Sequence, residues 1–170
     1  SPSMKQGSLQ KTGNDFDVAI EGDGYFGVEM PNGERMYTRD GSLEVDPDGR
    51  IVTQDGHPIV TDAVVDPEIK DVKISADGVV TGFRDGQAEG EVLGQIDMFD
   101  FQNPAGLAAQ GDNLLSQTDA SGEAIQALPG DPGVGTLRQG FIEGSNVEAV
   151  KEITKLIKAQ RAYEMNSKVV

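Results

Sequence analysis

Asx-Gly pairs recur at Asn32-Gly33, Asp40-Gly41, Asp48-Gly49, Asp55-Gly56, Asp77-Gly78 and Asp85-Gly86, and Asp46-Pro47-Asp48-Gly49 has the look of half a calcium loop. An EF-hand loop needs glycine at its sixth position and a bidentate glutamate at its twelfth. Counted from Asp46 those positions hold Ile51 and His57, so the spacing fails and turn chemistry accounts for the pairs. His57, the only histidine, stands between Gly56 and Pro58 in a turn context. Without a cysteine, a second histidine or a G-x-S-x-G elbow, neither a nucleophilic triad nor a cysteine-based metal or redox site can be assembled. The 29 acidic residues leave a carboxylate pair open in principle, but nothing in the sequence says which two would meet across a cleft. The glycines of residues 22–27, GDGYFG, introduce a strand, with no helix N-terminus to hold a pyrophosphate. No catalytic residue, metal site or cofactor is expected.

The sharpest feature is the ending, SNVEAVKEITKLIKAQRAYEMNSKVV over residues 145–170. Ser145 and Glu148 form an S-x-x-E capping box, which predicts a helix start. Val147, Val150, Ile153, Leu156, Ile157 and Tyr163 then recur at three- and four-residue steps, one apolar face of a 3.6-residue helix. No Gly, Asn or Pro signals a stop, so the helix is expected to be cut short. Its face can dock on the chain's own β domain, lie on a membrane, or pack against partner helices; the missing stop favours the third.

Short strands must carry everything before it. DVAIEG (17–22), YFGVEM (25–30), RMYTRD (35–40), SLEVD (42–46) and RIVTQ (50–54) lie between the Gly-rich turns, several of them alternating apolar with polar. The Asx-Gly pairs suit type I′ hairpin turns, so residues 12–62 predict a meander of short antiparallel strands. VKIS (72–75) and VVTGF (79–83) continue it, and VLGQIDMFDF (92–101), the most apolar run, predicts a central strand. Residues 102–138 are loop-rich and take no assignment; QGFIEG (139–144) reads as a last strand entering the helix. Tyr25, Phe26, Tyr37, Phe99 and Phe101 are at strand spacing, which favours a core over an aromatic surface.

The expected fold class is mainly β, a meander of short antiparallel strands forming a compact β domain with a C-terminal amphipathic α-helix. The expected division is an N-terminal segment 1–11, with 1–3 a cloning remnant, a β domain 12–144 and the helix 145–170. Twenty-two glycines and eight prolines beside 36% apolar residues fit this and exclude a helical bundle. The net charge of −15 is uneven. Residues 146–170 carry five Lys/Arg against three Glu, leaving nine positive and 26 negative charges on the rest. An acidic body repels phosphate backbones and anionic lipid, which argues against nucleic acid and membrane insertion. No run approaches the ~18 apolar residues of a membrane span.

Residues 9–60, LQKTGNDFDVAIEGDGYFGVEMPNGERMYTRDGSLEVDPDGRIVTQDGHPIV, resemble the β domain shared by bacterial flagellar rod and hook proteins, with its DVAI start and YTRDGS centre. VLGQIDMFDFQNPAGLAAQGDNLL (92–115) is similar to the family's next shared block, and the QRAYE-x-NSK ending to the form typical of distal rod members. The short connection between Val60 and Val92 leaves no room for the outer domain of hook proteins and points to rod; EGSN at 143–146 also occurs in a proximal rod protein. The family's N-terminal helix has no counterpart here, so the terminal helix is expected to be half of a helical pair. The resemblance implies a structural subunit, not an enzyme, exported without a cleaved signal to the flagellar basal body. Copies would stack helically with themselves and with neighbouring rod and hook proteins into a torque-transmitting shaft that crosses the periplasm. Val147, Val150, Ile153, Leu156, Ile157 and Tyr163 would form the subunit interface. The competing reading is a secreted carbohydrate-binding or carbohydrate-cleaving β domain, carried only by the acidic surface and the aromatics.

Overall fold

A computed structural model describes residues 6–144. Fifteen strands make up this part: β1 (Ser8–Lys11), β2 (Val18–Glu21), β3 (Tyr25–Glu29), β4 (Arg35–Thr38), β5 (Glu44–Val45), β6 (Ile51–Val52), β7 (Ile69–Ile74), β8 (Val79–Arg84), β9 (Glu91–Gln95), β10 (Met98–Asp100), β11 (Ala108–Ala109), β12 (Leu115–Ser116), β13 (Ile125–Ala127), β14 (Thr136–Gln139) and β15 (Phe141–Gly144). A single 3-10 turn, Pro104–Gly106, is the only helical element among the described residues. The mainly β, antiparallel expectation holds. The C-terminal helix, with Val147, Val150, Ile153, Leu156, Ile157 and Tyr163, lies outside the described residues.

The main sheet has the order β11-β12-β4-β3-β10-β13. Both of its faces are covered, which explains why YFGV is buried at four consecutive positions. Phe26 and Met98 face a large core with Val18, Ile20, Ile51, Ile96 and Val80; Tyr25, Tyr37, Phe99 and Phe101 form a second, aromatic core. Their rings meet edge to face, Tyr37 on Phe101 at 4.8 Å between centroids and on Phe99 at 5.4 Å, the arrangement ring quadrupoles prefer. At 2–5% exposed these four aromatics are core, not a binding surface. Gly27 leaves room for them, since a Cβ there would stand 2.5 Å from the Phe99 ring.

Three expectations are corrected. The meander holds for β3–β4, β5–β6 and β7–β8–β9, but β2 pairs with β14 and β1 with β15, across the whole described chain. The run 92–101 is two strands: β9 is the edge of the β7-β8-β9 sheet, and β10 is central between β3 and β13. They part at Ile96 and Asp97, where Thr61 bridges to Ile96 and Asp97 N–H donates to the Val60 carbonyl, so the chain changes sheets.

The turns differ too. Gly33, Gly49, Gly56 and Gly78 are left-handed, but none of the Asn or Asp residues before them is. In each case the glycine N–H donates to the carbonyl three residues back, and that residue's own N–H donates to the carbonyl just after the glycine. These are three-residue type I turns closed by a glycine bulge, not type I′ turns. Side chains add to them: the Asp46 carboxylate accepts from the Asp48 and Arg50 N–H groups and from Arg50 Nε. Only Asp112 and Asn113 are left-handed non-glycine residues among those described, and the turn Gly111–Leu114 around them has the central conformations that type I′ requires.

Candidate functional site

The ends of the described chain come together on one antiparallel ribbon. β1 pairs with β15 in the register Ser8 to Gly144 through Lys11 to Phe141. Gly7 packs so closely on Gly144 that a Cβ would overlap its carbonyl oxygen. Gln6 and Gly144 therefore leave the β domain side by side.

The motif YTRDGS, residues 37–42, ties this ribbon to the rest. Tyr37 sits in the aromatic core. Thr38, 2% exposed, donates to the Asn113 carbonyl at 2.8 Å. Asp40 accepts from Ser42 N–H and from Asn113 Nδ2. Gly41 runs under β2, where a Cβ would collide with the Val18 carbonyl, and accepts from Val18 N–H at 2.9 Å. Ser42 bridges to Asp17.

Arg39 is the centre of the arrangement. A guanidinium has five N–H donors in a rigid fork, and here five bonds are made. Nε donates to Glu143 Oε1 at 3.0 Å, one terminal nitrogen to the Gly22 and Gly24 carbonyls at 2.7 and 2.8 Å, and the other to Ile20 O at 3.2 Å and Glu143 Oε2 at 2.8 Å. Gln6 closes the ring: its amide nitrogen donates to Ile20 O and, very closely, to Glu143 Oε2, and its oxygen accepts from Gly22 N–H. Gly7 N–H donates to Glu143 Oε2 at 3.0 Å. The Glu143 side chain is 7% exposed and that of Arg39 25%, so the bidentate pair is largely withdrawn from water, where such pairs are strongest and most directional. Gly22, Gly24 and Gly27 stand at G-x-G-x-x-G spacing, but the first two lead into strand β3 and bind Arg39 through their carbonyls, and Gly27 lies within the strand.

Arg84 binds Asp66, Glu68 and Glu91, which fastens the 66–68 turn to β8 and β9, and its hydrogen bond holds Asp66 below the usual carboxylate range. Desolvation, then the neighbouring Asp71 carboxylate, holds Asp15 above that range. Burial pushes the Tyr25 phenol up, opposed by Arg39. The arrangement around Arg39 ties the β1–β15 ribbon to β2 and the Gly22–Gly24 turn. Arg39, Glu143 and Gln6 were not singled out by pattern, although Arg39 lies inside the YTRDGS motif. The six helix residues expected to form an interface lie outside the described residues and are not placed relative to it.

Two family models match stretches of the chain. A family model described as the flagellar hook protein FlgE/F/G D1 domain matches residues 19–82, and one described as the flagellar basal body rod FlgEFG protein C-terminal matches residues 138–170. Arg39 falls in the first and Glu143 in the second. The flagellar basal-body rod protein FlgG of Agrobacterium fabrum is 47% identical over 165 residues, covering 97% of this chain and 63% of that protein. FlgG of Caulobacter vibrioides is 46% identical over 98% of the chain and 63% of its own length. The rod protein FlgF of the same organism is 38% identical over 99% and 65%. The chain thus spans a little under two thirds of the length of these relatives.

Proposed function

Because this chain belongs to the flagellar rod and hook protein family, close to its FlgG members, we propose that it is a structural subunit of the bacterial flagellar distal rod. Many copies stack helically, with neighbouring rod and hook proteins above and below, into a hollow shaft that transmits torque from motor to hook. The observation that carries this reading is similarity to named rod proteins along 97% of the chain rather than over one domain. Within one organism, Caulobacter vibrioides, the FlgG relative is 46% identical and the FlgF relative 38%, which favours the FlgG-like position in the rod. A heterologous contact that does not close on itself produces a filament, which suits a shaft. The burial of Tyr25, Tyr37, Phe99 and Phe101 removes one of the two features that favoured a carbohydrate-binding domain.

In this reading residues 12–144 form the outer β domain and 145–170 belong to the axial core, with Val147, Val150, Ile153, Leu156, Ile157 and Tyr163 facing neighbouring helices. The role needs no catalysis, cofactor or membrane insertion, and it places the protein in the basal body, across the periplasm, after export without a cleaved signal. Ile153→Asp in the full-length protein is the test. An ionised side chain in a dry helix interface forfeits burial worth roughly 1.5–3 kcal/mol and adds a desolvation penalty of several kcal/mol, repeated in every copy. Expressed in cells lacking the native protein, Ile153→Asp should abolish rods in isolated basal bodies, whereas Lys155→Glu should be milder. Complete rods with Ile153→Asp would show that this stripe is not an assembly surface.

A further inference from the structure

We propose that Arg39 is a positioning residue: its five-donor fork locks the β1–β15 ribbon onto the Gly22–Gly24 turn, so that both exits of the β domain are held at one fixed orientation. The inference rests on the rod reading for its purpose, but its geometry stands alone. Torque passing between an axial core and an outer domain must cross Gln6 and Gly144, which lie side by side at one end of a two-stranded ribbon. Such a ribbon is marginally stable by itself and would act as a hinge. Arg39 removes the hinge by binding the ribbon through both oxygens of Glu143 and the main sheet's approach through three carbonyls, at Ile20, Gly22 and Gly24. Gln6 spans the same two parts from the other chain end.

The shape of the group matters more than its charge. A lysine keeps the charge but has three rotatable donors and no planar fork, so it cannot serve two carboxylate oxygens and three carbonyls at once. A purely electrostatic or solubilising arginine would be replaced by lysine without loss. Arg39→Lys therefore separates positioning from charge.

Hydrogen exchange of the 170-residue chain reads the lock directly. Arg39→Lys and Arg39→Met should both speed exchange of the amides in 8–11 and 141–144 and of Gly22 by about tenfold or more, since each loses charge-assisted bonds. Exchange in β3 and β10 should be unchanged. Unaltered exchange in the ribbon, or equal acceleration everywhere, would overturn the proposal. Should the arginine variants not fold, Gln6→Leu, which leaves Arg39 and Glu143 in place, must still accelerate the ribbon alone; failure to do so overturns it. The functional arm uses a chimera in which residues 6–144 replace the matching stretch of Agrobacterium fabrum FlgG. The native chimera should restore swimming to a strain lacking FlgG, and the Arg39→Lys chimera, exported and folded, should not. Swimming by the Arg39→Lys chimera would overturn the proposal. A native chimera that fails to restore swimming counts against the rod reading, while the exchange result still decides the lock.

Discussion

Gly41→Ala is a severe test of how the YTRDGS motif is built. Gly41 is not left-handed, so an alanine there adds no dihedral strain. The difficulty is space: the new Cβ would overlap the carbonyl of Val18 and stand 3.4 Å from the Phe26 ring. Separation of the two strands breaks the 2.9 Å bond from Val18 N–H to the Gly41 carbonyl, and Val18 is fully buried. An unsatisfied buried group costs about 1–3 kcal/mol, and overpacking against β2 and Phe26 about 1–3 kcal/mol more. At a few degrees per kcal/mol for a domain of this size, the melting temperature should fall by roughly 10–20 °C. Thermal unfolding followed by far-ultraviolet circular dichroism gives the value. Gly56→Ala is the control, because it meets nothing within 4 Å and has φ of +87°, so it carries only a left-handed penalty of about 1–2 kcal/mol. A Gly41→Ala melting temperature within about 2 °C of the native one, or above that of Gly56→Ala, would refute the close-approach argument.

Phe26→Ala, at a fully buried position of the large core, should cost about 3–5 kcal/mol in chemical denaturation. Asp15 holds its proton more tightly in the folded state than in the unfolded chain, so the cost of its charge is present at neutral pH and relieved as pH falls through its raised folded pKa. Asp15→Asn should therefore stabilise the protein slightly at neutral pH, with the gain gone below about pH 4 in melting curves. Asp66 has the opposite sign: its lowered folded pKa gives stability that is present above the ordinary carboxylate pKa and lost as pH falls through the folded value. Arg84→Met should flatten that acid limb, and its effect on melting temperature should shrink in about 1 M salt.

Chain-local physics was legible in the residues themselves. Glycine is the residue that tolerates the left-handed region, so Gly33, Gly49, Gly56 and Gly78 marked four turns correctly. The type of turn was not legible, because Asx-Gly serves both a two-residue type I′ turn and a three-residue type I turn with a glycine bulge, and the loop length and the sign of φ at the Asx residue follow from the register of the strands on either side. Residue type and turn signals placed β3, β4 and β8 near their final bounds. They could not tell that 92–101 changes sheets, since no turn signal interrupts the run, which parts where Thr61 and Val60 bind the backbone at Ile96 and Asp97.

The YTRDGS motif shows where the boundary lies. Its residue types announced a turn and a family, because those depend on neighbours in the chain. That Arg39 serves Glu143, 104 positions away, and through it both ends of the β domain, has no local signature. An arginine and a glutamate in sequence are two solvated charges; only the pairings of β1 with β15 and β2 with β14 bring them to 2.8 Å out of most of the water. Sequence alone determined the β class, the turn positions and the family, since propensity and pattern act over a few residues. Tertiary structure decided which strands pair and which polar groups meet, because those follow from covering both faces of the main sheet, a condition that no short stretch contains.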